Sequence, residues 1–130
     1  MFQSFDSRRE DEARISSEGR LPPGQALTQK FPVLHYGPVP AFEPAAWDFR
    51  VWGEVENTVV WSWDQFLKLP RTTLKMDIHC VTRWSKFDTM WEGVSLRTLI
   101  DEGFIQPTAE AAYIIQHAEH GYTTNLPLEI

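Results

Sequence analysis

Residues 78–101 read IHCVTRWSKFDTMWEGVSLRTLID and carry the chain's only cysteine, Cys80. Just upstream, TTLKMDIHC alternates, with Leu74, Met76 and Ile78 on one side and Lys75, Asp77 and His79 on the other. A period of two predicts a strand. It places Cys80 on the apolar side, with the thiol expected to point inward at the strand's end. A lone cysteine is most often a small buried hydrophobe, but here no further apolar run follows. Thr82, Arg83, Ser85 and Lys86 put hydroxyls and cations just past the thiol. That setting suits a thiolate or metal-thiolate beside an anionic ligand better than plain packing. Downstream, Ser95 is placed to cap a helix over LRTLIDE, and Gly103 to end it.

Working outward, WDFRVWGEV sets Trp47, Phe49, Val51 and Val55 against Asp48, Arg50 and Glu54, a strand pattern. Glu56-Asn57 predicts a turn into a second strand, Thr58 to Trp61. Ser62 followed by Gln65 is a capping-box signal for a short helix, WDQFLKL, that Pro70 ends. AYIIQH reads as a buried strand. Residues 1–20 read as a polar tail or a short surface helix, and LPPGQALTQKFPVLHYGPVP is too rich in proline and glycine for regular helix or a central strand. The last residues, LPLEI, read as a segment entering another element, so the chain is expected to be part of a longer protein.

With 130 residues, 42 % hydrophobic and six tryptophans, the chain suffices for one packed domain rather than two or a disordered chain. A net charge of -6 argues against a general nucleic-acid binder, which needs a broad basic surface. No apolar run approaches the ~20 residues of a membrane span. The N-terminus lacks an apolar signal region, and Arg8-Arg9 is followed by acidic residues. The default expectation is cytoplasmic, or periplasmic if a signal has been removed.

The segment around Cys80 resembles the signature of the sulfite oxidase-like molybdopterin domain, in which a CVxxWS loop supplies a metal-ligating cysteine and a Trp-x-Gly-x-Ser-Leu helix start follows. FPVLHYGPVPAF, WDFRVWGEVE, WSWDQFLKLP and HGYTTNLPLE resemble its expected neighbours in the expected order, from about Leu21 to the end. Nothing resembles a haem-binding domain, so the resemblance lies nearer the stand-alone bacterial type than haem-containing sulfite oxidase.

The resemblance implies an α+β, mostly β, sulfite oxidase-type molybdopterin-binding fold, its N-terminal portion, over residues 21–130 after the tail. It implies one molybdenum held by the dithiolene of molybdopterin, with Cys80 thiolate as the protein ligand. The chemistry implied is two-electron oxygen-atom transfer with a small-molecule oxo donor or acceptor, and electron exchange with a separate partner, a cytochrome or similar. His35 and Tyr36 fall where the family's N-terminal arm contacts the pterin. Thr82 and Arg83, beside the cysteine, and the basic Lys86 are the other cofactor-binding candidates. His117 falls near where the family places a residue close to the metal, and is taken with Cys80 as catalytic. The family's phosphate-clamping C-terminal half has no counterpart in these residues.

Other readings stay open. A fragment or binding module could keep the fold without metal. His79, Cys80, His117 and His120 could ligate zinc, but no paired CxxC or HxxxH spacing supports it. A nucleophilic pair of Cys80 and His117 would account for two residues only.

Overall fold

The computed structural model describes residues 5–32 and 35–128, the side chains of residues 5, 6 and 8 excepted. The start of the polar segment, two residues of the proline-rich stretch and the last two of LPLEI lie outside the described residues. The architecture is mixed α and β with strands predominating. The chain forms two units, residues 1–33 with 73–91 and residues 34–72 with 92–130.

In the first unit, helix α1 spans Phe5–Ser17, so residues 1–20 contain the surface helix rather than a plain tail. Arginine, glutamate and alanine favour it, and Arg14 pairs with Asp11 and Glu18 on neighbouring turns. Ile15 is buried, and Glu12 accepts the Leu27 N–H at 3.3 Å. That bond ties the helix to strand β1, Ala26–Leu27. Three strands form a sheet in the order β1-β5-β4, with β4 at Thr72–His79 and β5 at Trp84–Gly93. The two-residue β1 runs parallel to β5, Ala26 opposite Trp84 and Leu27 opposite Ser85. The proline-rich stretch thus contributes only an edge strand, where missing ladder donors are tolerated.

The alternation of β4 is real, but the apolar side is not the buried one that the pattern predicts. Leu74 and Met76 are 53 % and 43 % exposed. Lys75 and His79 on the polar side are exposed as well, and only Asp77 and Ile78 are half-buried; what Asp77 gains is an ionic cluster. Arg20 Nη2 reaches Asp77 Oδ1 at 2.8 Å and Asp88 Oδ1 at 3.0 Å, while its guanidinium lies 5.0 Å over the Phe87 ring. Lys75 Nζ joins Asp88 at 3.1 Å. Asp88 interrupts the extended strand with a φ of 55° and donates its N–H to Asp77 at 3.0 Å. Periodicity reveals which side chains share a face; it does not reveal which face a neighbour covers.

In the second unit, β2 (Asp48–Val51) pairs antiparallel with β3 (Val59–Ser62), setting Phe49 against Trp61 and Val51 against Val59. The capping box forms as read. Ser62 accepts the Gln65 N–H, Gln65 returns a bond to the Ser62 N–H, and helix α2 runs Trp63–Phe66. Phe42 and Trp47 each meet Trp63 edge-on at 5.0 Å, while Phe66 stacks on Trp63 at 6.5 Å and meets Trp47 edge-on at 5.2 Å. Helix α3 (Leu96–Asp101) starts at Ser95, whose side chain accepts the Thr98 N–H, and gives way to Gly103 at a φ of 76°. Its Leu99, 1 % exposed, centres a core with Leu69 and Ile105. Burying such a side chain contributes about 1.5–3 kcal/mol.

Strands β6 (Tyr113–His117) and β7 (Thr123–Pro127) form a separate antiparallel pair, His117 opposite Thr123. AYIIQH is therefore a strand but not a buried one, since Tyr113 and Ile115 are 64 % and 60 % exposed. A two-stranded ribbon can cover little of its own surface.

Candidate functional site

The link between β4 and β5 presents the cysteine. Cys80 N–H donates to Trp84 O at 2.8 Å, and Arg83 N–H donates to Cys80 O at 3.0 Å, closing a short hairpin loop. Arg83 adopts a φ of 67°. A left-handed residue is a usual way to end such a loop, but it is uncommon outside glycine and often accompanies a functional turn.

Cys80 is half-buried, and its sulfur lies 3.2 Å from Thr82 Oγ1. The thiol is held below its ordinary pKa, first by the Thr82 hydroxyl and then by the N–H groups of Thr82 and Val81, with desolvation opposing. A concave set of backbone and hydroxyl donors stabilises an anion. The thiolate is thus less costly than for a free cysteine, though the sulfur sits on an open turn rather than pointing into a core.

The same loop offers a second feature. Trp84 Nε1 is buried and has no hydrogen-bond partner among the described residues, and an unmet buried donor typically costs about 1–3 kcal/mol. A thiol eased toward its thiolate, with a donor wanting an acceptor four residues further along the chain, fits a group with a thiophilic metal and electronegative atoms, as a molybdenum–pterin cofactor has.

The other candidates divide between the units. Lys86 donates from Nζ to Gln29 O at 3.0 Å and lies 5.2 Å over Phe31, so it braces the proline-rich segment. In the second unit, His35 donates from Nδ1 to Gly37 O at 2.8 Å, and the Tyr36 ring lies 5.3 Å from Tyr122. Gly37 has a φ of 70°, and a Cβ there would stand 3.3 Å from His120 Cδ2. His120 is itself left-handed, at a φ of 61°. Tyr36 and Gly37 of the HYG stretch therefore meet Tyr122 and His120 of the HGY turn, a partnership that the sequence alone does not signal. His117 stacks obliquely on Trp52 at 5.2 Å. It borders a cavity of about 750 Å³ with Arg50 and Gln116, and shares a second of about 420 Å³ with Tyr122.

Among the described residues, no three His, Cys, Asp or Glu side chains converge as a metal cluster. No described helix is long and apolar enough to cross a membrane. Sequence reading also overlooked Gln25, whose Nε2 donates to Cys80 O at 3.1 Å. Nothing in a proline- and glycine-rich segment signalled that contact.

Comparison with known proteins gives two matches. The oxidoreductase molybdopterin binding domain family matches residues 36–130. The uncharacterized oxidoreductase YuiH of Bacillus subtilis (strain 168) is 44 % identical over 112 residues, which cover 85 % of this chain and 56 % of that protein. The chain thus spans about half the length of this curated relative. No solved structure matches.

Proposed function

Since the chain belongs to the oxidoreductase molybdopterin-binding domain family, we propose that it is the part of a molybdenum-dependent oxidoreductase that supplies the metal's protein ligand, Cys80. The observation that carries this reading is the sulfur itself, half-buried in a tight turn and faced by the Thr82 hydroxyl and two backbone N–H groups. Those donors lower the cost of a thiolate without covering it, which is what a metal ligand requires.

When bound, molybdopterin and its molybdenum supply sulfite oxidase-like, two-electron oxygen-atom transfer with a small-molecule donor or acceptor. The chain's own residues bind and orient. Thr82 and the backbone of the turn hold charge on Cys80, and Trp84 Nε1 offers a hydrogen bond to the cofactor. Arg83, set in its left-handed conformation at the turn's end, supplies a cation, as does Lys86 further along. His35 and Tyr36 contact the pterin, Tyr36 alongside Tyr122. His117, bordering both cavities, holds a proton for the small molecule. Electrons pass to or from a separate protein, a cytochrome or similar. We place the domain at residues 21–130, reaching upstream of the matched stretch because Gln25 and β1 are hydrogen-bonded to the Cys80 hairpin.

The test is molybdenum content. Purified from a molybdenum-competent host, the chain should hold molybdenum and pterin only weakly without the family's phosphate-clamping half, yet more than Cys80→Ala, which should lose the metal while keeping its far-ultraviolet circular dichroism. A wild-type chain without molybdenum would favour a fold that has lost its metal, and equal retention by Cys80→Ala would remove the cysteine from the site.

A further inference from the structure

Behind the Cys80 turn runs a hydrogen-bonded chain confined to the first unit. Gln25 Nε2 donates to Cys80 O at 3.1 Å, Ser85 Oγ donates to Gln25 Oε1 at 3.2 Å, and His79 Nδ1 lies 2.8 Å from Ser85 Oγ. Ser85 is fully buried, at 0 % exposure, so its hydroxyl must find its partners here.

The direction of each hydrogen is forced. A carbonyl oxygen only accepts, so the Gln25 amide must turn its NH₂ to Cys80 and its oxygen to Ser85. That oxygen also only accepts, so the single Ser85 hydrogen goes to it. The ring then meets a lone pair, and His79 Nδ1 must carry a hydrogen.

The consequence lies in the Cys80 peptide plane. The Cys80 carbonyl takes the Arg83 N–H at 3.0 Å from within the turn and Gln25 from behind it. With both lone pairs engaged, the plane is fixed. The Val81 N–H belongs to the same rigid unit, so the clamp sets the direction in which the turn leaves Cys80 toward Thr82, whose Oγ1 lies 3.2 Å from the sulfur. We propose that Gln25 is a positioning residue for Cys80: backed by buried Ser85, it clamps the Cys80 carbonyl and thereby aims the turn's donors at the sulfur. Its importance for the cofactor rests on the reading of Cys80 as the metal's ligand.

The test uses the metal-free full chain, whose single cysteine makes thiol chemistry unambiguous. Alkylation of Cys80 by iodoacetamide at neutral pH should slow about threefold or more in both Gln25→Leu and Ser85→Ala, from loss of one hydrogen bond's worth of alignment. Ile15→Ala, which loosens the same unit away from this chain, should lower the melting temperature and leave the rate alone. Nitrogen NMR of the wild type should find neutral His79 protonated at Nδ1. An unchanged or raised rate in either folded variant overturns the assignment. So does equal slowing in Ile15→Ala, or a wild-type His79 protonated at Nε2. Absence of molybdenum from the wild type would count against the proposed function and leave these readouts standing.

Discussion

Thr82 Oγ1 lies 3.2 Å from the sulfur of Cys80, two residues before it on the same turn. The hydroxyl is the largest cause of the lowered thiol pKa, so its removal has a signed outcome. Thr82→Val keeps the volume and deletes the donor. The thiol should move up toward its ordinary value of about 8.5, leaving less thiolate at neutral pH. Iodoacetamide rates on metal-free protein should fall several-fold near pH 7 and converge with wild type at high pH, where both thiols are ionised. Rates that coincide across the whole range would show that the hydroxyl contributes nothing.

The Arg20 cluster predicts acid sensitivity. Arg20, and then the Asp88 N–H, hold the Asp77 carboxyl below its usual range. A depressed carboxyl stabilises the fold above its unfolded pKa of about 3.9, and that stabilisation is lost as pH falls through the folded value. Asp77→Asn should melt several degrees below wild type at pH 7, and the gap should close as pH drops below about 4. Thermal melts across that range decide it; a gap that is constant with pH would assign the loss to packing.

Gly37 and His120 make a steric pair that a mutant cycle resolves. Gly37→Ala places a Cβ 3.3 Å from His120 Cδ2 at a φ of 70°. The left-handed backbone alone costs about 1–2 kcal/mol, and the ring adds to it. In a His120→Gly background the same substitution should cost less, because only the backbone strain remains. Equal losses in both backgrounds, measured by urea unfolding, would show that the ring does not press on this position.

Core and cap should separate by size. Leu99→Ala, at the centre of the second unit's core, should cost about 2–5 kcal/mol. Ser62→Ala, which removes one half of the capping box, should cost about 1 kcal/mol. Reversal of that order in urea unfolding would contradict the assignment of the core.

Local signals were the legible part of this sequence. Ser62 with Gln65, Ser95 and Gly103 each act within one helical turn, and each does what its residue type allows. Pairing of β2 with β3 followed from alternation on either side of Glu56-Asn57. The open face of β4 was not legible, because it depends on where Arg20 docks from 57 residues upstream of Asp77. Gln25 was hidden for the same reason. Its contact spans 55 residues and no local pattern encodes it. At the candidate site, Cys80 and Thr82 were legible as neighbours, whereas the meeting of Tyr36 with Tyr122 needed the fold.

Ligation of molybdenum by Cys80 is tested most directly by alkylating the cofactor-loaded chain with iodoacetamide and reading the peptide that contains Cys80 by mass spectrometry. A sulfur bonded to the metal should stay unmodified while molybdenum is retained, and become alkylated once the cofactor is stripped. Cys80 alkylated at the metal-free rate, with molybdenum still bound, would contradict the account.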